Sequence, residues 1–217
     1  MIKLYGFPVS NYFNMVKLVL LEKGVDFEFV PTSVSQEMDY LQKSPMGKVP
    51  CIETEQGFLC ETSVILDYID HTQTGPSFYP EDPYQRAKVK ELIKIIELYI
   101  ELPARSCYAE VFFGGSVSEE VQQKAQDTLK KGLKPLTISG KFSPYIAGES
   151  LTYADFVFMY SIDLASIVGK KLLDMDVMAE IPQAKSLLEN LNKREHAMDV
   201  NRDKAAQMAE FMADKGK

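Results

Sequence analysis

Two places in this 217-residue sequence combine residue types suited to binding a small charged molecule. At the first, Val49 and Pro50 stand at the start of an apolar run, and at the second, Glu61 and Thr62 stand at the start of a helical pattern. A helix start presents unpaired N–H groups and the positive end of the helix dipole, so it suits a carboxylate ligand. The carboxylate of Glu61 in turn suits an ammonium group. The pattern predicts a site that recognises an amino acid by its two charged ends.

The elements that must position these residues follow the order β-α-β-α-β-β-α over about the first seventy residues. Strands are predicted at 2–5 and 27–30, a hairpin at 49–53 and 57–60, and helices at 12–23, 35–43 and 63–71. A right-handed β-α-β crossover makes the first two strands parallel. This half of the chain is therefore predicted to be a small α/β domain.

The rest of the chain shows only helical patterns. Residues 74–83 are rich in Gly and Pro and are predicted to be a linker between domains at 1–73 and 84–217. An apolar face at helical spacing runs from Val89 to Ile100, and Pro103 is expected to kink this helix. Ser118 is the predicted cap of a later helix. The expected fold class is α/β plus all-α.

One helix start in the second half has a complete sequence signature. Thr152 and Asp155 have the spacing of a capping box in its acidic form, with Leu151 and Phe156 in the flanking apolar positions. The pattern predicts a helix that begins at Thr152 and runs inside the helical domain. We interpret it as a folding element and not as a catalytic one.

The composition disfavours several classes of partner. A net charge of −7 and a pI near 5.0 argue against nucleic acid or an anionic membrane surface, because both need clustered Lys or Arg. Cys51, Cys60 and Cys107 are too few and too scattered for a metal site or a disulfide framework, and their odd number fits a reducing compartment. We interpret Cys51 and Cys60 as small buried hydrophobes. Because the N-terminal apolar run is too short for a signal peptide or membrane anchor, we expect a cytoplasmic protein, without a metal.

With these residues in place, the chain resembles the cytosolic glutathione transferase family along essentially its whole length, as a serine-type, bacterial-like member. The matching segments are residues 4–10, 20–28, 45–50, 59–65 and 148–155, in the family's order and spacing. The resemblance implies a thioredoxin-like N-terminal domain that holds glutathione as co-substrate. It also implies an all-helical C-terminal domain that forms the wall of the electrophile pocket, and a homodimer.

The resemblance implies a glutathione site residue by residue. It implies a cis Val49–Pro50 bond, with the backbone of Val49 pairing with the cysteinyl part of glutathione. It places the γ-glutamyl end on Glu61 and Thr62, although serine is usual where Thr62 stands. Lys48 matches a position whose side chain commonly contacts glutathione.

Conjugation needs the thiolate of glutathione, whereas a free thiol has a pKa near 8.5 and is mostly protonated at neutral pH. Ser10 lies directly before the first helix, at the position of the serine that some classes of the family use. We predict that it is the catalytic hydrogen-bond donor to the sulfur. It is also placed as a plain N-cap, and both roles can coexist. Asn11 or Tyr12 is an alternative donor, whereas Tyr5 lies too early, inside the first strand.

The predicted function is a glutathione S-transferase that conjugates the glutathione thiolate to electrophilic, largely apolar small molecules, a detoxification reaction. Its electrophile pocket is predicted to contain Phe7, Arg105, Tyr108 and Phe112, with Phe113 nearby. Two alternatives stay open: a glutathione-binding regulatory protein without turnover, and a glutathione-dependent peroxidase. The lack of cysteine near position 10 disfavours disulfide exchange with glutathione.

Overall fold

The structure, a computed structural model, describes residues 1–215 and divides into two compact units. The first unit contains residues 1–77 together with the chain from Asn192 onward, and the second contains Phe78–Leu191. The first unit holds the sheet and the second is helical, which confirms the predicted α/β plus all-α fold class. The domain boundaries 1–73 and 84–217 stay a prediction, because this packing groups the last helix with the first unit.

The first unit is a four-stranded sheet with helices, in the predicted β-α-β-α-β-β-α order. Its elements are β1 (Ile2–Gly6), α1 (Asn11–Glu22), β2 (Phe27–Pro31), α2 (Met38–Leu41), β3 (Cys51–Thr54), β4 (Gly57–Cys60), α3 (Thr62–Thr72) and α11 (Glu195–Lys215). The strand order is β2-β1-β3-β4. β1 and β2 are parallel, as predicted from the crossover, and the other neighbouring pairs are antiparallel. The two inner strands, β1 and β3, carry the fully buried Leu4 and Ile52.

Two elements of the first unit differ from the prediction by more than one residue at an end. The strand predicted from residue 49 begins at Cys51, because Pro50 has no N–H to donate to the sheet. The helix predicted over 35–43 is limited to Met38–Leu41, since the Glu37 N–H donates to the Ser35 hydroxyl in a turn before it.

α11 and the residue before it, Arg194, contact α1 through two ion pairs that the sequence pattern does not predict. Lys17 Nζ lies 2.6 Å from a carboxylate oxygen of Asp203. Arg194 donates two hydrogen bonds, of 2.6 and 2.9 Å, to the largely buried carboxylate of Glu22. A paired, two-pronged Arg–carboxylate contact fixes geometry as well as charge. The residues that follow Asn192 are therefore part of the packing of the first unit.

The second unit is all-helical and is built around one buried helix. Its elements are α4 (Pro83–Ile96), a π-helical segment (Glu97–Glu101), α5 (Leu102–Arg105), α6 (Tyr108–Phe113), α7 (Glu119–Ser139), α8 (Tyr153–Leu172), α9 (Val177–Glu180) and α10 (Ala184–Asn192). α8 packs against α4, α5, α6, α9 and the π-helical segment. Within residues 1–215, no helix has the length and hydropathy needed to cross a bilayer.

The helix that Pro103 was expected to kink is widened instead. The π-helical segment ends directly before α5, and the Leu102 N–H bonds to the Glu97 carbonyl five residues earlier. A proline ring clashes with the carbonyl four residues before it, and a π turn relieves such a clash by widening the helix. The expected local disturbance is present, but as a bulge.

The start of α8 confirms the predicted capping box and adds a bond to it. Thr152 is the N-cap, and one oxygen of Asp155 accepts from the Thr152 N–H at 2.8 Å and the Thr152 hydroxyl at 3.0 Å. The other carboxylate oxygen accepts from the Ile146 N–H at 2.7 Å. Asp155 is fully buried. It therefore joins the start of α8 to the preceding loop.

Candidate functional site

The sheet topology gathers three predicted site segments at one end of the sheet. β1 runs towards the 7–10 loop and ends beside the start of β3, where Tyr5 pairs with Cys51. The start of β3 pairs in turn with the end of β4, where Cys51 lies opposite Cys60. Tyr5, Cys51 and Cys60 therefore lie side by side on neighbouring strands, which we call one row of the sheet. Three segments adjoin this row: the loop before α1, the Val49–Pro50 bond and the start of α3.

Ser10 is the N-cap of α1 and lies at the start of that helix, as predicted. Its Oγ accepts a hydrogen bond from the Phe13 N–H at 3.3 Å. A hydroxyl that accepts a bond keeps its own proton for a further acceptor. The first turn of α1 carries no acidic side chain, so the positive end of its dipole is not neutralised from within the helix.

The loop that carries Ser10 is held by side chains from two helices. The Asn14 side-chain amide, on α1, donates to the Pro8 carbonyl at 2.8 Å. On α11, the Gln207 side-chain oxygen accepts from the Val9 N–H at 2.9 Å. Sequence reasoning missed Gln207, because the two partners are separated by 198 positions and no local pattern connects them.

The neighbouring hydroxyl candidates differ in their surroundings. The Tyr5 hydroxyl donates to the Glu53 carboxylate. Burial, followed by this contact with Glu53, raises the pKa of Tyr5 to about 12. The Tyr5 hydroxyl is therefore paired within β1 and β3, and the prediction that it is not the donor to sulfur stays a prediction. Asn11 is buried and Tyr12 is partly exposed in the first turn of α1, and their roles stay predictions.

The Val49–Pro50 bond is cis, as the resemblance implied. Val49 precedes β3, so its backbone lies outside the strand pairing, which begins at Cys51. The preceding carbonyl, of Lys48, accepts from the Tyr40 hydroxyl at 2.9 Å and the Ser44 hydroxyl at 2.8 Å. These two hydrogen bonds therefore fix the backbone that precedes Val49, while Lys48 is exposed to solvent.

Glu61 has the most unusual backbone conformation in this region. Its φ is 66° and its ψ is 116°, outside the regions that residues with a side chain normally occupy. It precedes α3 without capping it through its side chain, and it is exposed. Its carbonyl accepts the Val64 and Ile65 N–H groups at 3.0 and 2.9 Å, while Thr62 is buried at the first position of the helix. Strained residues of this kind concentrate at ligand-binding positions.

The predicted electrophile-pocket residues fall into both units. Phe7 lies in the loop before Ser10, in the first unit. Arg105, Tyr108 and Phe112 form a cluster in the second unit: the guanidinium lies 5.0 Å from the Tyr108 ring centre, and the Tyr108 and Phe112 rings meet edge to face at 5.1 Å. Arg105 Nε also donates to the fully buried carboxylate of Glu101 at 2.8 Å. Phe113 is exposed on the same helix.

Comparisons with known proteins cover both units. Residues 4–77 match the family model described as "Glutathione S-transferase, N-terminal domain", and residues 105–197 match "Glutathione S-transferase, C-terminal domain". A Pseudomonas putida protein named "Glutathione S-transferase" is 55% identical over 212 residues, which cover 98% of this chain and 96% of the relative. A Solanum tuberosum protein named "Probable glutathione S-transferase" is 32% identical over 158 residues, 72% of this chain and 69% of the relative.

Solved structures give the same architecture. The crystal structure of glutathione transferase F7 from Populus trichocarpa matches with a TM-score of 0.78 at 24% identity, covering 94% of this chain and 99% of that one. At this identity the likeness concerns the fold. It agrees with a thioredoxin-like first domain followed by a helical one.

Proposed function

The chain belongs to the glutathione S-transferase family and is a glutathione transferase, and we propose that it joins the thiolate of glutathione to apolar electrophiles with Ser10 as the donor to sulfur. One observation carries this assignment of the site. The Ser10 loop, the Val49–Pro50 bond and the start of α3 emerge from one row of the sheet. A tripeptide lying across that end of the sheet could contact all three.

Each end of glutathione has a suitable partner in this arrangement. The Val49 backbone, outside the sheet pairing and followed by Pro50, suits the cysteinyl main chain. The exposed carboxylate of Glu61 suits the γ-glutamyl ammonium group, and the hydroxyl and helix start at Thr62 suit its carboxylate. The exposed Lys48 supplies a positive charge nearby. No metal is needed for these contacts.

Two effects at Ser10 favour the thiolate. A helix end contributes roughly 0.3–1 kcal/mol, up to about 2 kcal/mol when partly buried. A hydrogen bond to a charged group contributes roughly 1.5–3 kcal/mol. Since one pKa unit corresponds to about 1.4 kcal/mol, the two effects would lower the thiol pKa by roughly 1 to 3 units. That change makes the thiolate a substantial species at neutral pH.

The finer parts of the proposal concern the second substrate and the setting. Arg105, Tyr108 and Phe112, which lie together in the second unit, would contact the electrophile, since these side chains combine apolar rings with one cation. The role of Phe7 stays a prediction. We propose a detoxifying role, a homodimer and a cytoplasmic location. The three unpaired cysteine thiols fit a reducing compartment.

The test is a comparison of two serine N-caps. Ser10→Ala should leave glutathione affinity within a few fold, but raise the apparent pKa of bound thiol by roughly 1 to 2 units. The pKa is read from the pH dependence of conjugation to an activated aryl chloride. Ser118→Ala is the matched control, because Ser118 caps α7 with a similar bond, 3.4 Å to the Val121 N–H.

The control should lose a comparable amount of stability and keep the parent pH profile. An unchanged profile in Ser10→Ala would refute the Ser10 assignment, and Asn11 and Tyr12 would be tested next. Glutathione binding by calorimetry without turnover in the parent protein would contradict conjugation and favour a regulatory protein.

A further inference from the structure

Cys51 and Cys60 face each other across the β3–β4 hairpin. They are directly opposite in the strand register, so their side chains lie on the same face of the sheet. The chain therefore places two unpaired thiols next to each other. Cys51 is buried, as expected for a small hydrophobe, whereas Cys60 is partly exposed, which the prediction of a buried side chain did not anticipate.

The register also sets the type of pair. A two-residue loop joins the strands, so Thr54 and Gly57 form the hydrogen-bonded pair that closes the turn. Paired positions alternate along an antiparallel ladder, which makes Cys51 and Cys60, three steps further, a non-hydrogen-bonded pair. The Cα atoms of such a pair are typically about 4.5 Å apart, and disulfides accept about 4.4–6.8 Å. The backbone spacing suits a cross-strand disulfide.

The two sulfur atoms are directed at one oxygen atom. Cys51 Sγ and Cys60 Sγ each donate to the backbone carbonyl of Lys43, both at 3.3 Å. Because the sulfurs share an acceptor, both side chains already point to the same spot. Closing a disulfide would remove both S–H donors from Lys43, but would not require the strands to separate.

The two thiols differ in exposure and in acidity. Cys51 is fully buried, whereas Cys60 is partly exposed. Contact with the Cys51 thiol lowers the pKa of Cys60, although burial and the charge of Glu61 act in the opposite direction. Its hydrogen bond with Cys60, together with burial, raises the pKa of Cys51. A partly exposed thiol with a lowered pKa beside a buried thiol is the arrangement of an attacking and a resolving cysteine.

We propose that Cys51 and Cys60 form an oxidisable dithiol, which a peroxide converts into an intrachain disulfide. The Cys60 thiolate attacks one oxygen of hydrogen peroxide, the O–O bond breaks, and the departing hydroxide takes a solvent proton to become water. Cys60 is then a sulfenic acid. The Cys51 sulfur attacks Cys60 Sγ and expels hydroxide, which takes the Cys51 proton as a second water. Two thiols are oxidised to one disulfide, and one peroxide is reduced to two waters.

This inference does not depend on what the neighbouring site binds. It follows from the hairpin and the two sulfur positions alone. Its location nevertheless matters, because Pro50 directly precedes one cysteine and Glu61 directly follows the other. A disulfide between Cys51 and Cys60 would fix the spacing between the Val49–Pro50 bond and the start of α3.

The direct test is peroxide treatment of the folded, full-length protein, followed by denaturation, alkylation and mass spectrometry. Both cysteines fall in one tryptic peptide, residues 49–86, which contains no internal Lys or Arg. Oxidation should make that peptide lighter by two hydrogens and block both alkylations. Cleavage after Glu53 and Glu55 should then give two disulfide-linked fragments that separate on reduction.

Cys107 is the internal control, since it is fully buried and burial raises the pKa of its thiol. The 51–60 pair should react at least about 10-fold faster than Cys107. In Cys51→Ser, sulfenic acid should persist at Cys60 and be captured by dimedone, whereas in Cys60→Ser the Cys51 thiol should stay reduced. The proposal is overturned if the wild-type peptide keeps both alkylatable thiols, or if Cys60 proceeds to sulfinic acid without closing. The wild-type measurement decides the matter even if a variant does not fold.

Discussion

The starts of α3 and α8 show two opposite ways to begin a helix. At α8 the N-cap Thr152 and the buried Asp155 share their hydrogen bonds, and Ile146 adds a third donor. At α3 the residue before the helix, Glu61, caps nothing with its side chain, is exposed, and has a φ of 66°. At the start of α8 the side-chain carboxylate is used by hydrogen bonds within the chain. At the start of α3 the exposed Glu61 carboxylate can accept hydrogen bonds from a ligand.

This difference separates a structural helix start from a candidate binding one. Natural sequences satisfy their local rules where stability alone is at stake and break them at functional sites. A strained backbone costs about 1–3 kcal/mol and persists where the surrounding structure enforces it. The comparison predicts that changes at α8 lower stability without changing glutathione affinity, and that changes at α3 lower glutathione affinity without lowering stability.

The largest effect is expected for Asp155→Ala. It removes three accepted hydrogen bonds and leaves buried donors unsatisfied, so the free energy of unfolding should fall by roughly 2–4 kcal/mol. Urea denaturation measures this. Asp82→Ala is the matched control, because Asp82 is an exposed N-cap whose side chain accepts the Gln85 N–H at 2.9 Å. This substitution should cost about 1 kcal/mol. Equal losses in the two variants, or weaker glutathione binding in folded Asp155→Ala, would break the comparison.

The second prediction concerns pH. Burial raises the pKa of Asp155 to about 6 from 3.8, even though the Ile146 and Thr152 bonds act to lower it. The folded state therefore binds the Asp155 proton more tightly than the unfolded state does. The stability that this proton contributes is fully present below about pH 4 and is lost as pH rises through about 6. The stability advantage of wild type over Asp155→Asn should shrink by roughly 2–3 kcal/mol between pH 4 and pH 7. A difference that stays constant across this range would contradict the raised pKa.

The third prediction tests the strained start of α3. Glu61→Gly should relieve the positive φ and stabilise the protein by about 1 kcal/mol, after the entropy cost of glycine. It should also weaken glutathione binding about 10-fold or more, because a charged hydrogen-bonding partner is lost. Calorimetry and urea denaturation give the two values.

Asp174→Gly is the control for the backbone effect, since Asp174 is exposed in the second unit with a φ of 46°. It should change stability slightly and leave glutathione affinity alone. If Glu61→Gly lowered stability while keeping its affinity, the start of α3 would be structural like that of α8.

The smallest effect is expected at the support of the Ser10 loop. Gln207→Ala removes the acceptor of the Val9 N–H, so kcat/KM for conjugation should fall about fivefold, equivalent to about 1 kcal/mol. Gln207→Glu retains an acceptor and should restore the rate. Gln123→Ala, on the exposed surface of α7, should have no effect. If Gln207→Glu remained as slow as Gln207→Ala, positioning through Val9 would be wrong.

Local patterns were sufficient for much of the fold. The hairpin strands, the parallel β1–β2 pair and the Thr152–Asp155 box follow from spacing within a few residues, where side-chain periodicity and capping act directly. The family and the fold class were also identified from short segments in a fixed order. The individual roles of Ser10, Glu61 and their neighbours stay predictions.

The features that were missed depend on contacts between distant residues. Nothing near Gln207 indicates that it reaches Val9, and the third donor to Asp155 comes from Ile146, outside the capping box. The opposition of Cys51 and Cys60 is a different case. It depends on the length of the loop: the predicted strands 49–53 and 57–60 leave three residues between them and would pair Cys51 with Leu59, whereas the two-residue loop of the structure pairs Cys51 with Cys60.

The position of α11 has a consequence for the order in which the chain matures on the ribosome. Residues 1–77 are synthesised before the second unit, yet Glu22, Lys17 and Val9 have their partners in residues 194–207, which follow it. Every residue of the second unit is made in between. The first unit therefore completes its packing only after the second unit has been synthesised. Until then, the surface of α1 that contacts α11 stays uncovered in the nascent chain.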